Sequence, residues 1–215
     1  MVNEPSQTRG RPKKLQREHV ISVAMESYWA NGPTSVSVNE ICKRAEVSKP
    51  GLYREFGNED GLQQSVLHSY CEMALKPLYD VLRIEQPFDA CVASVTTLFL
   101  GARAQFTSPR GCLLRDMIQS GVNLGDLTQE AIAERQEEAR AEYAAWITRA
   151  VARGDISATV PTDIAATYVD LQFGNAMTLL KRNEPDETIE AVMQMAFSAF
   201  LIDGLKDISA DDHRW

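Results

Sequence analysis

At 215 residues, with 44% hydrophobic and 24% charged side chains, the chain has the balance of a globular protein with a core for one or two domains. No apolar run approaches the roughly 18 residues that cross a bilayer. The polar start MVNEPSQTRGRPKK lacks the apolar centre of a secretory signal, so a soluble cytoplasmic protein without a membrane partner is expected. The net charge of −8 argues against a nucleic-acid partner only until it is divided. Residues 1–65 hold nine Lys/Arg against eight Asp/Glu, and residues 66–215 thirteen against twenty-two, which describes a basic head on an acidic body.

Residues 1–14 read as a flexible basic arm. Five basic residues and no acidic one fall between Arg9 and Arg17. The order Arg9-Gly10-Arg11-Pro12-Lys13-Lys14 resembles an AT-hook core, an extended segment suited to the negative potential of a narrow minor groove. Arg9, Arg11, Lys13 and Lys14 are therefore candidate DNA contacts, and a solvated tail is the alternative.

A helix follows over residues 15–31, with Val20, Ala24 and Tyr28 near one face and Gly32 as its stop. Ser35 or Ser37 caps the next helix, and a capping hydroxyl at Ser37 would lie near a DNA backbone. Residues 38–60, VNEICKRAEVSKPGLYREFGNED, read as two short helices at a sharp corner. Ala45-Glu46-Val47 makes the corner, Ser48 offers its hydroxyl to the new helix, and Pro50 falls in the first turn, where a missing N–H does no harm. Leu52 and Phe56 point inward, leaving Lys49, Tyr53 and Arg54 outside. Such a pair is a helix-turn-helix able to enter a major groove, although similar corners occur in bundles without a nucleic-acid role.

The rest is read as an all-α body spanning residues 61–215, behind a helix-turn-helix domain over residues 15–60. A connecting helix starts near Asn58 and ends or kinks about Pro77. As the sole covalent join, it is expected to carry any coupling between body and head. Residues 88–106 form a charge-poor helix expected to be buried on most sides, and Pro109-Arg110-Gly111 breaks it. A short helix over residues 112–119, an amphipathic one over 127–153 and two more over 161–182 and 186–203 complete the chain. Gly174 should permit close helix approach. The last two helices carry apolar residues on two sides, one for the core and one for a second copy, so a homodimer through them is expected; an internal pair in a monomer is the alternative. Cavity candidates by helical phase are Phe99, Phe106, Met117, Tyr143, Trp146, Gln172 and Met177, many of which could equally be plain core.

Cys42, Cys71, Cys91 and Cys112 are scattered, with no metal-ligand spacing, so no metal or cofactor is expected. Buried reduced thiols are the ordinary reading. A redox trigger is the sharper one, with Cys112 in a loop-like setting as its first candidate.

The segment VNEICKRAEVSKPGLYREFGNEDGL, the basic arm before it and the first helix ending Tyr28-Trp29-Ala30-Asn31-Gly32 resemble the DNA-binding domain of the tetracycline-repressor (TetR) family. That likeness covers roughly residues 10–65. The body is similar mainly in layout, through Pro109-Arg110-Gly111-Cys112-Leu113 and Pro161-Thr162-Asp163. It implies an N-terminal three-helix head and a C-terminal bundle for ligand binding and dimerisation. It also implies a homodimer on a palindromic double-stranded operator, released by a small molecule. Ser48 would cap the recognition helix, Lys49, Pro50 and Gly51 would lie at its base-facing start, and Tyr53 would meet phosphate. Gly51, Glu55 and Glu59 depart from the usual pattern, and the two carboxylates should weaken phosphate contact. A ligand-responsive regulator, most naturally a repressor, is the expectation. A ligand-independent DNA-binding dimer and a cysteine-based sensor are the alternatives. An all-α enzyme is less favoured, because no nucleophile-and-base pair or phosphate loop is readable.

Overall fold

The computed structural model describes residues 16–104 and 111–201, which form helices and short turns with no strand among them. Helix α1 (Arg17–Asn31), α2 (Val38–Arg44), α3 (Lys49–Phe56) and α4 (Glu59–Tyr70) make the head. Their shared core is Val20, Ala24, Tyr28, Ile41, Leu52, Leu62, Val66 and Leu67, each fully enclosed.

A π-helical turn (Cys71–Leu75) separates α4 from α5 (Lys76–Arg83). Of the two outcomes expected at Pro77, an end or a kink, the helix does not end: it widens into a π turn just before the proline and runs on to Arg83. The proline has no N–H to give and its ring crowds the carbonyl four residues back; a widened turn accommodates both.

The body adds α6 (Phe88–Ala104), α7 (Leu113–Ser120), α8 (Asp126–Arg153), α9 (Thr162–Lys181) and α10 (Asp186–Ser198). Its core is aromatic. Phe88 stacks on Trp146 with centroids 4.7 Å apart, and Phe173, Phe197 and Phe200 gather round them. Helix α6 is less buried than its uncharged sequence implied, since Asp89, Ala93, Thr97 and Gly101 form an exposed stripe. Helix α10 is also shorter than expected: the chain turns after Ser198, which tucks Phe200 into the core.

The two cores do not part at residue 60. Cys112, Leu113, Met117, Ala131 and Ile132 of the body pack with α1 to α4, whereas the second cluster unites α5, α6, α9, α10 and the later part of α8. The head thus rests on α7 and the start of α8.

Candidate nucleic-acid interface and interior cavity

Local chemistry builds the head's outer corner. Ser37 Oγ accepts from Glu40 N–H at 3.2 Å and Ser48 Oγ accepts from Gly51 N–H at 3.2 Å, so each hydroxyl caps its helix. Between them α2 ends in a Schellman turn: Glu46 N–H donates to Lys43 carbonyl and Val47 N–H to Cys42 carbonyl. Glu46 takes a left-handed φ of 54° where glycine is the usual choice, a detail its residue type did not announce.

Leu52 and Phe56 fix α3 against the head core, leaving Lys49, Pro50 and Arg54 exposed. Gly51 is half-buried. So is Tyr53, whose ring packs on the core rather than standing wholly outside, and the Lys49 ammonium lies 5.5 Å from its centroid. Glu55 is not a bare negative charge. Arg17 reaches it at 3.2 Å, donates to Ser65 at 3.0 Å and lies 4.7 Å over the Phe56 ring. This pair offsets one of the two carboxylates expected to repel phosphate. Arg9, Arg11, Lys13 and Lys14 lie outside the described residues.

The head is joined to the body by more than α4. Trp29 Nε1 donates to Gly111 carbonyl at 2.9 Å, buried. Asp60, in the first turn of α4, accepts from Leu127 and Thr128 N–H at 2.9 and 3.0 Å and from Thr128 hydroxyl at 2.6 Å. Gly125, the residue before α8, brings no side chain to its own helix; the Asp60 carboxylate supplies that cap from the head. A Cβ at Gly125 would sit 2.3 Å from Asp60 Cγ, so only glycine admits the contact. Coupling along α4 alone is therefore too narrow an expectation: the covalent path is single, the physical paths are several.

Below the head, a cavity of about 660 Å³ opens among the π turn, α5, α6, α7, α8 and α9. Of the residues proposed by helical phase, Phe99, Tyr143 and Met177 line it. Met117 and Trp146 are instead enclosed core, Gln172 pairs with Asn175 away from it, and Phe106 lies outside the described residues. Phase along one helix names an inward face but not which neighbour fills the space in front of it. That is also why Trp29, Tyr70, Met73 and Arg115, which do line the cavity, escaped the sequence. Arg115 donates to the Asp170 carboxylate at 2.9 Å, and Gly174 gives way to it rather than to a helix, since a Cβ there would lie 2.2 Å from the guanidinium carbon.

All four thiols are buried. Burial pushes Cys71 up to about 12 and Cys91 to about 11, and raises Cys42 and Cys112 as well. Cys112, expected in a loop-like setting, sits in the core at the start of α7 beside Tyr70. Thiols held protonated are poor nucleophiles towards oxidants. Among the described residues no cluster of three His, Cys, Asp or Glu is placed to hold a metal, and no helix is long and apolar enough to cross a membrane.

On α9 and α10, Ile164, Leu171 and Met195 are exposed by 57%, 53% and 72%, whereas Val169, Phe173, Ala176 and Leu180 face the core. These helices do carry apolar residues on two sides.

Residues 20–66 match the family described as bacterial regulatory proteins, tetR family. The HTH-type transcriptional repressor BdcR of Escherichia coli (strain K12) is 30% identical over 120 residues, 56% of this chain and 61% of that one. The HTH-type transcriptional repressor ComR of the same strain is 27% identical over 108 residues, 50% of this chain and 51% of that protein. The matched stretch thus spans little more than half the length of these relatives. A cysteine mutant of the TetR family transcriptional regulator CifR complexed with 26bp double-strand operator DNA superposes with a TM-score of 0.72 at 25% identity, over 88% of this chain and 99% of that one. Regulatory protein TetR from Rhodobacter sphaeroides superposes at 0.76 with 23% identity, over 87% and 100% of the two chains.

Proposed function

We propose that this chain, whose residues 20–66 match the family described as bacterial regulatory proteins, tetR family, is a member of that family and a cytoplasmic DNA-binding transcriptional repressor whose grip on its operator is set by a small molecule. It acts by binding rather than by catalysis. The observation that carries this reading is α3 itself: a Ser48-capped helix pinned by Leu52 and Phe56, with Lys49, Pro50 and Arg54 exposed. Lys49 and Gly51 stand at its base-facing start, Ser37 and Tyr53 serve the phosphates, and Arg9, Arg11, Lys13 and Lys14 extend the contact into the minor groove.

Two copies join through α9 and α10, using the exposed side of Ile164, Leu171 and Met195, and present their α3 helices to half-sites about 34–36 Å apart. The cavity is the effector site, for its size falls within the roughly 300–1,000 Å³ usual for small ligands. A ligand that prefers one head spacing shifts the population by its differential affinity for the two states. The cavity favours this over a ligand-independent dimer, and thiol burial disfavours a cysteine trigger.

Selection of duplexes from a random pool tests the proposal. A palindromic site bound by a dimer, with affinity falling steeply as salt rises, is the expected result. A monomer indifferent to every duplex at low salt would overturn it.

A further inference from the structure

Part of the cavity wall belongs to the head. Trp29 closes α1 and Tyr70 closes α4; their rings meet edge-on, centroids 5.1 Å apart at 82°, and both line the cavity. The Trp29 indole N–H is spent on Gly111 carbonyl, and the Tyr70 hydroxyl meets the Cys112 thiol. Three residues further on, Arg115 reaches across to Asp170 of α9. A tie therefore runs along this wall from the first head helix, through the start of α7, to a helix of the proposed dimer face. Gln119, Gln136, Arg140 and Thr167 add polar groups to the wall, and the rest of it is mainly aromatic and aliphatic. Phe99 and Tyr143 both stand edge-on to Phe173, at 5.6 and 5.5 Å.

The geometry points to an effector site shared between head and body, taking an aromatic ligand with one hydrogen-bond-accepting or singly anionic group. This rests on the cavity being the effector site, as proposed above. Edge-to-face and offset contacts with Trp29, Tyr70 and Phe173 suit an aromatic ring. The guanidinium of Arg115 is a donor only, so the polar group it meets must accept. A dianion has little support, because on this wall Arg115 is matched by Asp170, and Arg140 by Glu137 beside it. A ligand pressing on Trp29 strains its bond to Gly111 and moves α1, which braces α2 and α3, so the signal need not travel along α4.

The probe is 8-anilino-1-naphthalenesulfonate, an aromatic monoanion. Its binding is measured by fluorescence on the full chain, on Trp29→Phe, and on Leu98→Trp, which fills the cavity from the body side. In parallel, 5-fluorotryptophan is incorporated into the otherwise unaltered chain, whose tryptophans are Trp29, Trp146 and Trp215. Fluorine resonances are assigned from Trp146→Phe and Trp215→Phe.

The expected outcome is saturable binding abolished by Leu98→Trp and weakened about five- to tenfold by Trp29→Phe, the worth of one good aromatic contact. The Trp29 resonance should shift on binding, with Trp146, behind Phe88, moving less. Binding blocked by Leu98→Trp, with Trp29 silent in the fluorine spectrum, would overturn the shared site and leave the cavity as effector site intact. No saturable binding, or binding indifferent to Leu98→Trp, would overturn both. The fluorine reading truncates no side chain at the site, so it decides the matter even if Trp29→Phe fails to fold.

Discussion

The corner of the head and the cavity of the body are built in opposite ways. The corner lies within twenty residues: Ser37 caps α2, a Schellman turn ends it, Ser48 caps α3, and Leu52 with Phe56 anchors the result. The hydrogen bonds that cap and turn it are all between near neighbours, and only its anchoring through Leu52 and Phe56 reaches the rest of the head core. The cavity draws its wall from α1, α4, the π turn and five later helices, and the bonds that set it, Trp29 to Gly111 and Arg115 to Asp170, join residues 82 and 55 positions apart. A surface that must match a fixed partner is well served by local geometry. A space between helices exists only where distant segments fail to close completely.

Breaking the head core should produce the largest effect. Leu52→Ala empties a fully buried position and should cost about 2–5 kcal/mol, read from urea denaturation. Because Leu113, Met117 and Ala131 share that core, the loss should appear in one transition rather than as a separate melting of the head. Two resolved transitions would make the head and body more independent than their packing implies.

Next comes the joint between them. Asp60→Ala removes the cap of α8 and leaves the buried Thr128 hydroxyl only the Asp60 backbone carbonyl as acceptor, so about 1–2 kcal/mol should be lost by the same measurement. An unchanged stability would mean that solvent replaces the carboxylate, and that this contact does not bind head to body.

A smaller effect, confined to the head, concerns phosphate. Lys49→Ala should lower the slope of log affinity against log salt by about 0.9 with no change in thermal stability, and deleting residues 1–14 should lower it further. Slopes that do not move would remove Lys49 and the basic arm from the interface.

The smallest change is expected at the thiols. With Cys71 near 12 and Cys91 near 11, almost no thiolate exists at neutral pH, so iodoacetamide should react far more slowly than with a free cysteine. The sign follows from linkage: folding holds these protons, so stability contributed by the neutral thiols falls as pH rises beyond the ordinary value of 9.0. Fast alkylation of the folded protein, followed by release of DNA, would restore the cysteine-sensor reading.

What the chain's order of residues determined by itself was the kind of structure whose causes are short-ranged. Capping serines, a proline in a first turn, a glycine after a last one and a four-residue apolar spacing each act within a turn or two. The all-α class, most helix limits and the outward placing of Lys49 and Arg54 therefore followed from inspection, whereas Tyr53, expected beside them, is half-buried.

Only tertiary structure decided where the space lies and what faces it. Helical phase placed Met117 and Trp146 inward correctly, yet both are packed solid, while Trp29 and Tyr70 of the head reach the cavity. The same holds for the carboxylate of Asp60 capping a helix 66 residues further on, and for Arg17 offsetting Glu55. Such features depend on how whole helices stack, a balance of many weak contacts that no single stretch of sequence contains.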